Sequence, residues 1–405
     1  MAEWRERKLG ELIKIKHGFA FKGEHFSDRP GSGPVLVTPG NFAVGGGFKK
    51  AKPKFYTGEF PQEYVLGEGD LIVTMTDLSK TVDTLGYGAL VPGDAVYLHN
   101  QRIGLVQFLE PSGVNKRFLC YAMRTSAYRH HVIAGATGST VKHTSPSRIC
   151  EYSITLPPLQ EQEGIAGVLG ALDDKIAVNE RIATLALELA DAQYARAVRE
   201  LDFGPETFGS AAAVVGGGTP STKKEGYWGG GIAWTTPTDV TALSAPYLFE
   251  TSRTITDKGL ENCASQLYPA QSIFMTSRAT IGAFALPQMP AAVNQGFIVV
   301  LPPTEELRWW LLHEMRSRVD EMISLANGST FLELSRKNFK GMPIRLASDQ
   351  STAEFAQAVS PLHGKAAQAT AESRTLVTLR DTLLPQLMSG KLRVRDAEKI
   401  VEDAV

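Results

Sequence analysis

The chain is written twice, and nothing else in it limits the possible folds as strongly. Residues from about Leu9 to Ala197 recur in the same order between Phe208 and Leu387. Leu9-Gly10 and Gly18 align with Phe208-Gly209 and Gly217, Thr38-Pro39 with Thr236-Pro237, and Asp70-Leu71 and Thr74 with Ser272-Ile273 and Thr276. Asn100-Gln101 answers Asn294-Gln295, Met123-Arg124 answers Met315-Arg316, and Gly138-Ser139-Thr140 answers Gly328-Ser329-Thr330. From there the offset holds at 190 residues, through Ser145/Ser335, Ile154/Ile344, Ile165/Phe355 and Lys175/Lys365. A drifting offset marks loops of variable length, and a constant one marks a segment that has none. Two copies are too few for a solenoid. The expected product is a pseudo-two-fold molecule with two related, differently looped surfaces.

Each copy passes from short alternating runs into one long helical pattern. Val35-Leu36-Val37, Asp70 to Met75, Ile103 to Phe108, Ser272 to Met275 and Gly296 to Val300 read as strands bounded by turn residues. A short helix is expected in each copy, at Arg117–Arg129 and Glu305–Leu325. The long helices follow a four-three repeat. Ile165, Leu169, Leu172, Ile176, Asn179, Ala183, Ala186, Ala190 and Gln193 form one seam, and Phe355, Val359, Leu362, Ala366, Ala369, Ser373, Leu376, Arg380 and Leu383 form the other. Small residues at such positions suit close antiparallel pairing; a helix packed on its own domain is the alternative. The expected fold class is α+β: two tandem domains with small mixed β-sheets, joined by two long helices that form an antiparallel coiled coil. Boundaries follow at 1–156 for the first domain, 157–203 for a central spacer helix, 204–347 for the second domain, 348–395 for a C-terminal spacer helix and 396–405 for a tail. Pro157-Pro158 and Gly204-Pro205 punctuate them.

The charge is uneven. Net charge is -1, yet residues 1–156 carry 19 Lys and Arg against 14 Asp and Glu, with six of the eight histidines, whereas residues 157–203 carry 4 against 9. Opposite signs on consecutive elements indicate different partners, a polyanion for the first and a protein for the second. Three cysteines, Cys120, Cys150 and Cys263, form no CxxC pair and point to a reducing compartment. With no apolar h-region in MAEWRERKLG and no run long enough to span a bilayer, a cytoplasmic protein is expected.

Catalytic machinery is sparse. Gly364-Lys365-Ala366 and Gly390-Lys391-Leu392 lack the spacing and hydroxyl of a phosphate-binding loop. His130-His131 has no partner at metal-ligand spacing, and Leu156-Pro157-Pro158-Leu159 lacks the polar residue that would grip an exocyclic amine. The chain reads as a binder. The rival readings are a histidine-dependent nuclease and a scaffold that assembles partners through its duplicated helices.

Several motifs, in order, carry a family resemblance. They are Leu156 to Ala166 opening the central helix, Gly217-Gly218-Thr219-Pro220-Ser221 with Trp228 and Trp234 after it, Ser277 to Gly282, and the ending Leu383 to Leu392. With the duplication, they resemble the DNA-specificity subunit of type I restriction-modification systems over nearly the whole chain. The first copy departs from the pattern, with Gly18-Phe19-Ala20-Phe21-Lys22 in place of Gly-Gly-Thr-Pro. The resemblance implies two target-recognition domains, each reading one half of a bipartite, asymmetric DNA site, with the helices setting the gap. It implies no catalysis and no cofactor in this chain. Two modification subunits would bind S-adenosylmethionine and methylate adenine, and two restriction subunits would use ATP and Mg.

Candidate DNA contacts follow. Lys49, Lys50, Lys52 and Lys54 form a basic run suited to phosphates, or a solvated hairpin. Thr76, Asp77, Ser79 and Lys80 follow a strand, with Ser277, Arg278 and Thr280 at the corresponding place. Lys142 and His143 come after the shared Gly-Ser-Thr; Lys22, Asn41, Arg102, Thr219, Ser221, Lys223 and Thr238 complete the set. Asn100-Gln101 and Asn294-Gln295 are better read as shared structural turns. On the helices, Ile165, Leu169, Leu172, Ile176, Phe355, Val359, Leu362, Leu376 and Leu383 are the expected partner-binding positions.

Overall fold

Apolar runs too short to bury themselves pair into small sheets, and each repeat builds the same one. In the computed structural model, which describes residues 4–79, 81–109, 113–328 and 332–404, the chain divides into two units, Met1–Asp174 with Val377–Val405, and Lys175–Leu376. Lys80, Ser329 and Thr330 lie outside the described residues.

In the first unit, Leu71–Thr74 lies between Ile103–Phe108 and Gly88–Leu90, and Ile13–His17 completes an antiparallel four-stranded sheet. A second, mixed sheet orders Phe26–Ser27, Phe55–Tyr56, Val35–Leu36, Tyr97–Leu98 and Val65–Leu66, with Tyr97–Leu98 parallel to Val35–Leu36. Between them, Val37, Phe42, Leu66, Ile72, Ala89, Val91, Tyr97 and Ile103 form a buried cluster. Burying one such side chain stabilises by about 1.5–3 kcal/mol.

The second unit repeats this plan. Ala213–Val215, Phe297–Leu301, Ile273–Thr276 and Phe284–Pro287 take the places of the first four strands, extended by Tyr247–Leu248. Trp228–Thr235 runs parallel to Ala291–Val293 and antiparallel to Arg253–Ile255. Small mixed sheets beside helices make both units α+β. The repeat extends to the caps: Ser145 accepts from Arg148 N and Ser335 from Asn338 N, each at 3.1 Å.

The short helix expected in each copy is two. Lys116–Ala122 is followed by Ser126–Ala134, because Thr125 is extended and its hydroxyl turns back to Ala122 O at 2.8 Å. Glu305–Ser317 is followed by Val319–Ser324. Arg318 leaves helical geometry, at φ -124 and ψ 23, while its guanidinium is fastened to Glu314, Glu321 and Pro343 O.

The two long helices are continuous, Leu159–Ala197 and Asp349–Met388, and the division into units cuts both. Within the second unit they run antiparallel, since Lys175 meets Glu372 at 3.1 Å and Tyr194 meets Phe355 at 5.6 Å between rings. Ala183, Ala186, Ala190, Val359 and Ala366 are buried in one cluster there, as small seam residues require. In the first unit, Arg380 of the second long helix binds Asp173 of the central one at 2.7 Å. No helix of the described residues is long and apolar enough to cross a membrane.

Candidate nucleic-acid interface

In the first unit a ridge forms where three segments meet at the end of the four-stranded sheet. Met75 N donates to Arg102 O at 3.0 Å, and Thr144 N donates to Met75 O at 3.0 Å. Thr76–Asp77 then pairs antiparallel with Lys142–His143. A fourth segment joins through Phe19 N to His99 O and Gln101 N to Phe19 O. Its close approach requires glycine before it: a Cβ at Gly18 would lie 2.1 Å from Asn100 O. The structure thus brings together Thr76, Asp77, Ser79, Arg102, Lys142 and His143, which are scattered in sequence.

These residues do different work. Arg102 and His143 are exposed, and Lys142 and Ser79 are half-buried. Asp77 is 2% exposed and organises the loop behind it, accepting from Ser79 N at 2.6 Å, Thr84 N at 2.5 Å, Thr84 Oγ1 at 2.8 Å and Leu85 N at 3.0 Å. Burial opposes its ionisation, but the bonds from Ser79 and Thr84 outweigh burial and hold the carboxyl below its usual range. Thr76, 3% exposed, meets His143 Nδ1 through its hydroxyl at 3.2 Å. The side chains of both Thr76 and Asp77 are thus turned into the protein. Asn41 is also withdrawn: at 5% exposure it accepts from Thr38 N at 2.8 Å and donates to Lys49 O, completing a capping box.

Lys22 and the lysines of the basic run, Lys49, Lys50, Lys52 and Lys54, are exposed. Lys50 pairs with Asp94 at 2.5 Å, Lys54 sits 5.1 Å over the Phe26 ring, and Lys22 lies 4.0 Å from Glu24. Lys49 and Lys52 carry no ion pair among the described residues, so they are the freest members of the run.

The second unit has the same ridge with a shorter loop, Ser277 to Ile281 where the first has Met75 to Leu85. Ser277 N donates to Gly296 O at 2.8 Å, and Leu334 N donates to Ser277 O at 2.9 Å. Gly218 N bonds Val293 O, and a Cβ at Gly217 would lie 2.0 Å from that carbonyl. Ser277 is 3% exposed, and its N–H and C=O make the two bonds to Gly296 and Leu334. Arg278 and Thr280 are exposed, and Arg278 Nε binds Glu333 at 2.8 Å. Thr219, Ser221, Lys223 and Thr238 are exposed too, and Thr219 donates to Gln295 at 2.6 Å. Trp228 Nε1 and Trp234 Nε1 donate to Ser221 O and Gly218 O, so both indoles anchor the glycine-rich loop.

Sequence reasoning missed Glu333. The signal was available, since the constant offset of 190 places it opposite His143. The shared asparagines are turns: Asn100 Oδ1 accepts from Arg102 N at 3.3 Å and Asn294 Oδ1 from Gly296 N at 2.8 Å.

The expected partner-binding positions on the long helices face inward. Ile165, Leu169, Leu172, Ile176, Phe355, Val359, Leu376 and Leu383 are buried within the chain and Leu362 is half-buried, because an apolar seam satisfies itself before it can serve another subunit. The outer face of the central helix instead exposes Val178, Leu185 and Leu189.

His130 and His131 bond Ser126 O and Arg148 O, and among the described residues no cluster of His, Cys, Asp or Glu could hold a metal ion.

Comparison with known proteins agrees with this duplicated architecture. A family model described as the type I restriction modification DNA specificity domain matches residues 1–186 and again 208–367. The type I restriction enzyme MjaIX specificity subunit of Methanocaldococcus jannaschii is 34% identical over 149 residues, 36% of this chain and 34% of that protein. The EcoBI specificity subunit of Escherichia coli is 29% identical over 173 residues, 42% of this chain and 32% of that one. The chain thus spans about a third of the length of these curated relatives. The crystal structure of a type I restriction-modification system S subunit from M. genitalium shares the fold, with a TM-score of 0.58 at 16% identity over 95% of this chain and 96% of that one.

Proposed function

The chain belongs to the type I restriction-modification DNA specificity family, and from that premise we propose that it reads a bipartite, asymmetric DNA site, one half with each unit. A single observation carries this. Both units build the same backbone crossing, yet mount different side chains on it: Thr76 with His143 in one, Arg278 with Glu333 in the other. An identical platform with altered polar groups is what two different half-sites require, since phosphate contacts position a protein and base-edge contacts specify. Lys22, Lys49, Lys52, Lys54, Arg102, Lys142 and Lys223 supply the phosphate-directed charge in this reading, and His143, Thr219, Ser221, Thr238, Arg278 and Thr280 the base-directed groups.

The chain itself performs no chemistry here. Two modification subunits, carrying S-adenosylmethionine, methylate the site, and two restriction subunits, using ATP and Mg, cleave DNA that lacks the mark, all in the cytoplasm. Support for two copies of a partner comes from a recess that recurs at equivalent positions. In the second unit it is lined by Ala195, Val198, Arg199, Ser317 and Arg345; in the first, by Pro385, Met388, Ser389, Thr125 and Thr155. The exposed Val178, Leu185 and Leu189 add an apolar outer stripe for docking.

The test is coexpression with the modification subunit of the same system, followed by sequencing of methylated bases. The pair is expected to mark one bipartite motif, and the chain alone none. Replacing residues 204–347 by another such domain should alter one half of the motif. A change in both halves would show that the units do not read independently.

A further inference from the structure

The two ridges share a set of backbone hydrogen bonds and differ in the side chains at one crossing. Thr137 and His143 exchange N–H to O bonds at 3.0 and 2.9 Å, and Asn327 and Glu333 do the same at 3.0 and 2.8 Å. Thr144 N to Met75 O matches Leu334 N to Ser277 O. On that common frame Thr76 corresponds to Arg278 and His143 to Glu333.

A carboxylate on a surface meant for a polyanion needs a reason. Repulsion from phosphates would weaken binding wherever Glu333 faced DNA without a purpose. An exposed ion pair adds little to stability, so folding does not supply that purpose. Its position does. Glu333 Oε1 lies 2.8 Å from Arg278 Nε in an ion pair, and neither Nη group has a partner among the described residues, so the planar guanidinium keeps a pair of parallel donors free for a ligand. Such a fork matches the O6 and N7 acceptors of guanine in the major groove, and no other base offers two acceptors there.

We propose that Arg278, held at Nε by Glu333, reads a guanine in the half-site of the second unit. Glu333 acts as the positioning residue. The assignment rests on the DNA-reading role proposed above, and it names one base of that site. Thr76 and His143, at the equivalent crossing, cannot form this fork, so the first unit makes no bidentate guanine contact of this kind there.

The experiment uses the full-length chain in complex with its modification subunit, bound to duplexes that carry the motif found by methylation sequencing. Each guanine of the second half-site is replaced in turn by 7-deazaguanine, which lacks the N7 acceptor. Wild type is expected to bind about ten- to a hundredfold more weakly at one guanine, and Arg278→Ala to lose that sensitivity while remaining sensitive elsewhere. Arg278→Lys, a point charge without a fork, should keep less than wild-type discrimination. Full sensitivity retained in Arg278→Ala overturns the assignment, as does a second half-site without guanine. If Arg278→Ala binds no duplex, the wild-type scan decides alone, and tolerance at every guanine overturns it. A wild-type complex with no bipartite preference overturns the DNA-reading role itself, and this assignment with it.

Discussion

A carboxylate can only accept hydrogen bonds, and that fact orients a buried chain of them in the second unit. Asp191 Oδ1 lies 2.7 Å from His313 Nδ1, which must therefore donate; His313 Nε2 then accepts from His363 Nε2 at 2.9 Å, and His363 Nδ1 accepts from the Tyr247 hydroxyl at 2.9 Å. The scheme requires both rings neutral. Burial pulls both below their ordinary value, and His363, with His313 and Arg316 facing it and Trp309 stacked at 4.0 Å, falls to about 3. In the unfolded chain a histidine takes up its proton near pH 6.5, so between there and about pH 3 the unfolded state binds more protons than the folded one. Stability should fall on acidification through this window, by about 1.4 kcal/mol per pH unit for one such group. Asp191, held low by His313 and Arg316 against its burial, adds its loss only below about pH 4. Urea unfolding at pH 7 and pH 5 therefore isolates the histidines. His363→Gln should be less stable at pH 7 and lose less on going to pH 5; an equally steep loss in both proteins would place the pH dependence elsewhere. Nearby, Glu314 is fully buried and binds Tyr194, Arg318 and Arg345. Glu314→Ala removes the carboxylate that both guanidinium groups share, while Arg318 keeps Glu321 and Pro343 O and Arg345 keeps Ser317, and should cost about 1–3 kcal/mol in the same assay.

At the level of elements, the long helices were the most legible part of the sequence and the ridges the least. Period alone places Ile165, Leu169, Leu172, Val359, Ala366 and Leu376 in a seam, and all are buried. Only Gln193, Leu362, Ser373 and Arg380, near its edges or polar, stay half-exposed. Tertiary contacts are invisible to periodicity. The break at Arg318 comes from three partners, one of them 25 residues away, and the pairing of Thr76–Asp77 with Lys142–His143 is too short to show a strand pattern. Asp77 and Ser277 carry polar groups that suit a base, but their burial depends on loop closure that the sequence does not announce. The seam also holds one misfit. Asn179 is 2% exposed and its Nδ2 has no partner among the described residues. A buried amide left unpaired costs about 1–3 kcal/mol, so Asn179→Leu is expected to raise the unfolding midpoint of the chain. A lower midpoint would mean that the amide holds the helices in register, as a polar seam residue can.

For the whole molecule, duplication has divided each long helix between the units. The central helix begins in the first unit and ends in the second, and the C-terminal helix does the reverse. Equivalent positions have meanwhile diverged in chemistry. Asp173, which binds Tyr121 and Arg124 in the first unit, stands 190 residues before His363, which binds His313 in the second. Each unit thus has its own polar contacts on the helices, Asp173 in one and His363 in the other. Asp173 with Arg380 and Lys175 with Glu372 flank the junction between the units. One heptad inserted after Asp174 and one after Leu376 would lengthen both helices by about 10 Å. Seven residues keep the seam in phase apart from a drift of roughly 20°. At about 3.4 Å per base pair, a reader whose helices set the gap should then methylate a motif with both half-sites unchanged and a spacer about three base pairs longer. Sequencing of methylated bases in cells that carry the extended chain and its modification subunit measures this directly. An active complex that keeps the original spacer would assign the distance to the partner subunits instead of the helices.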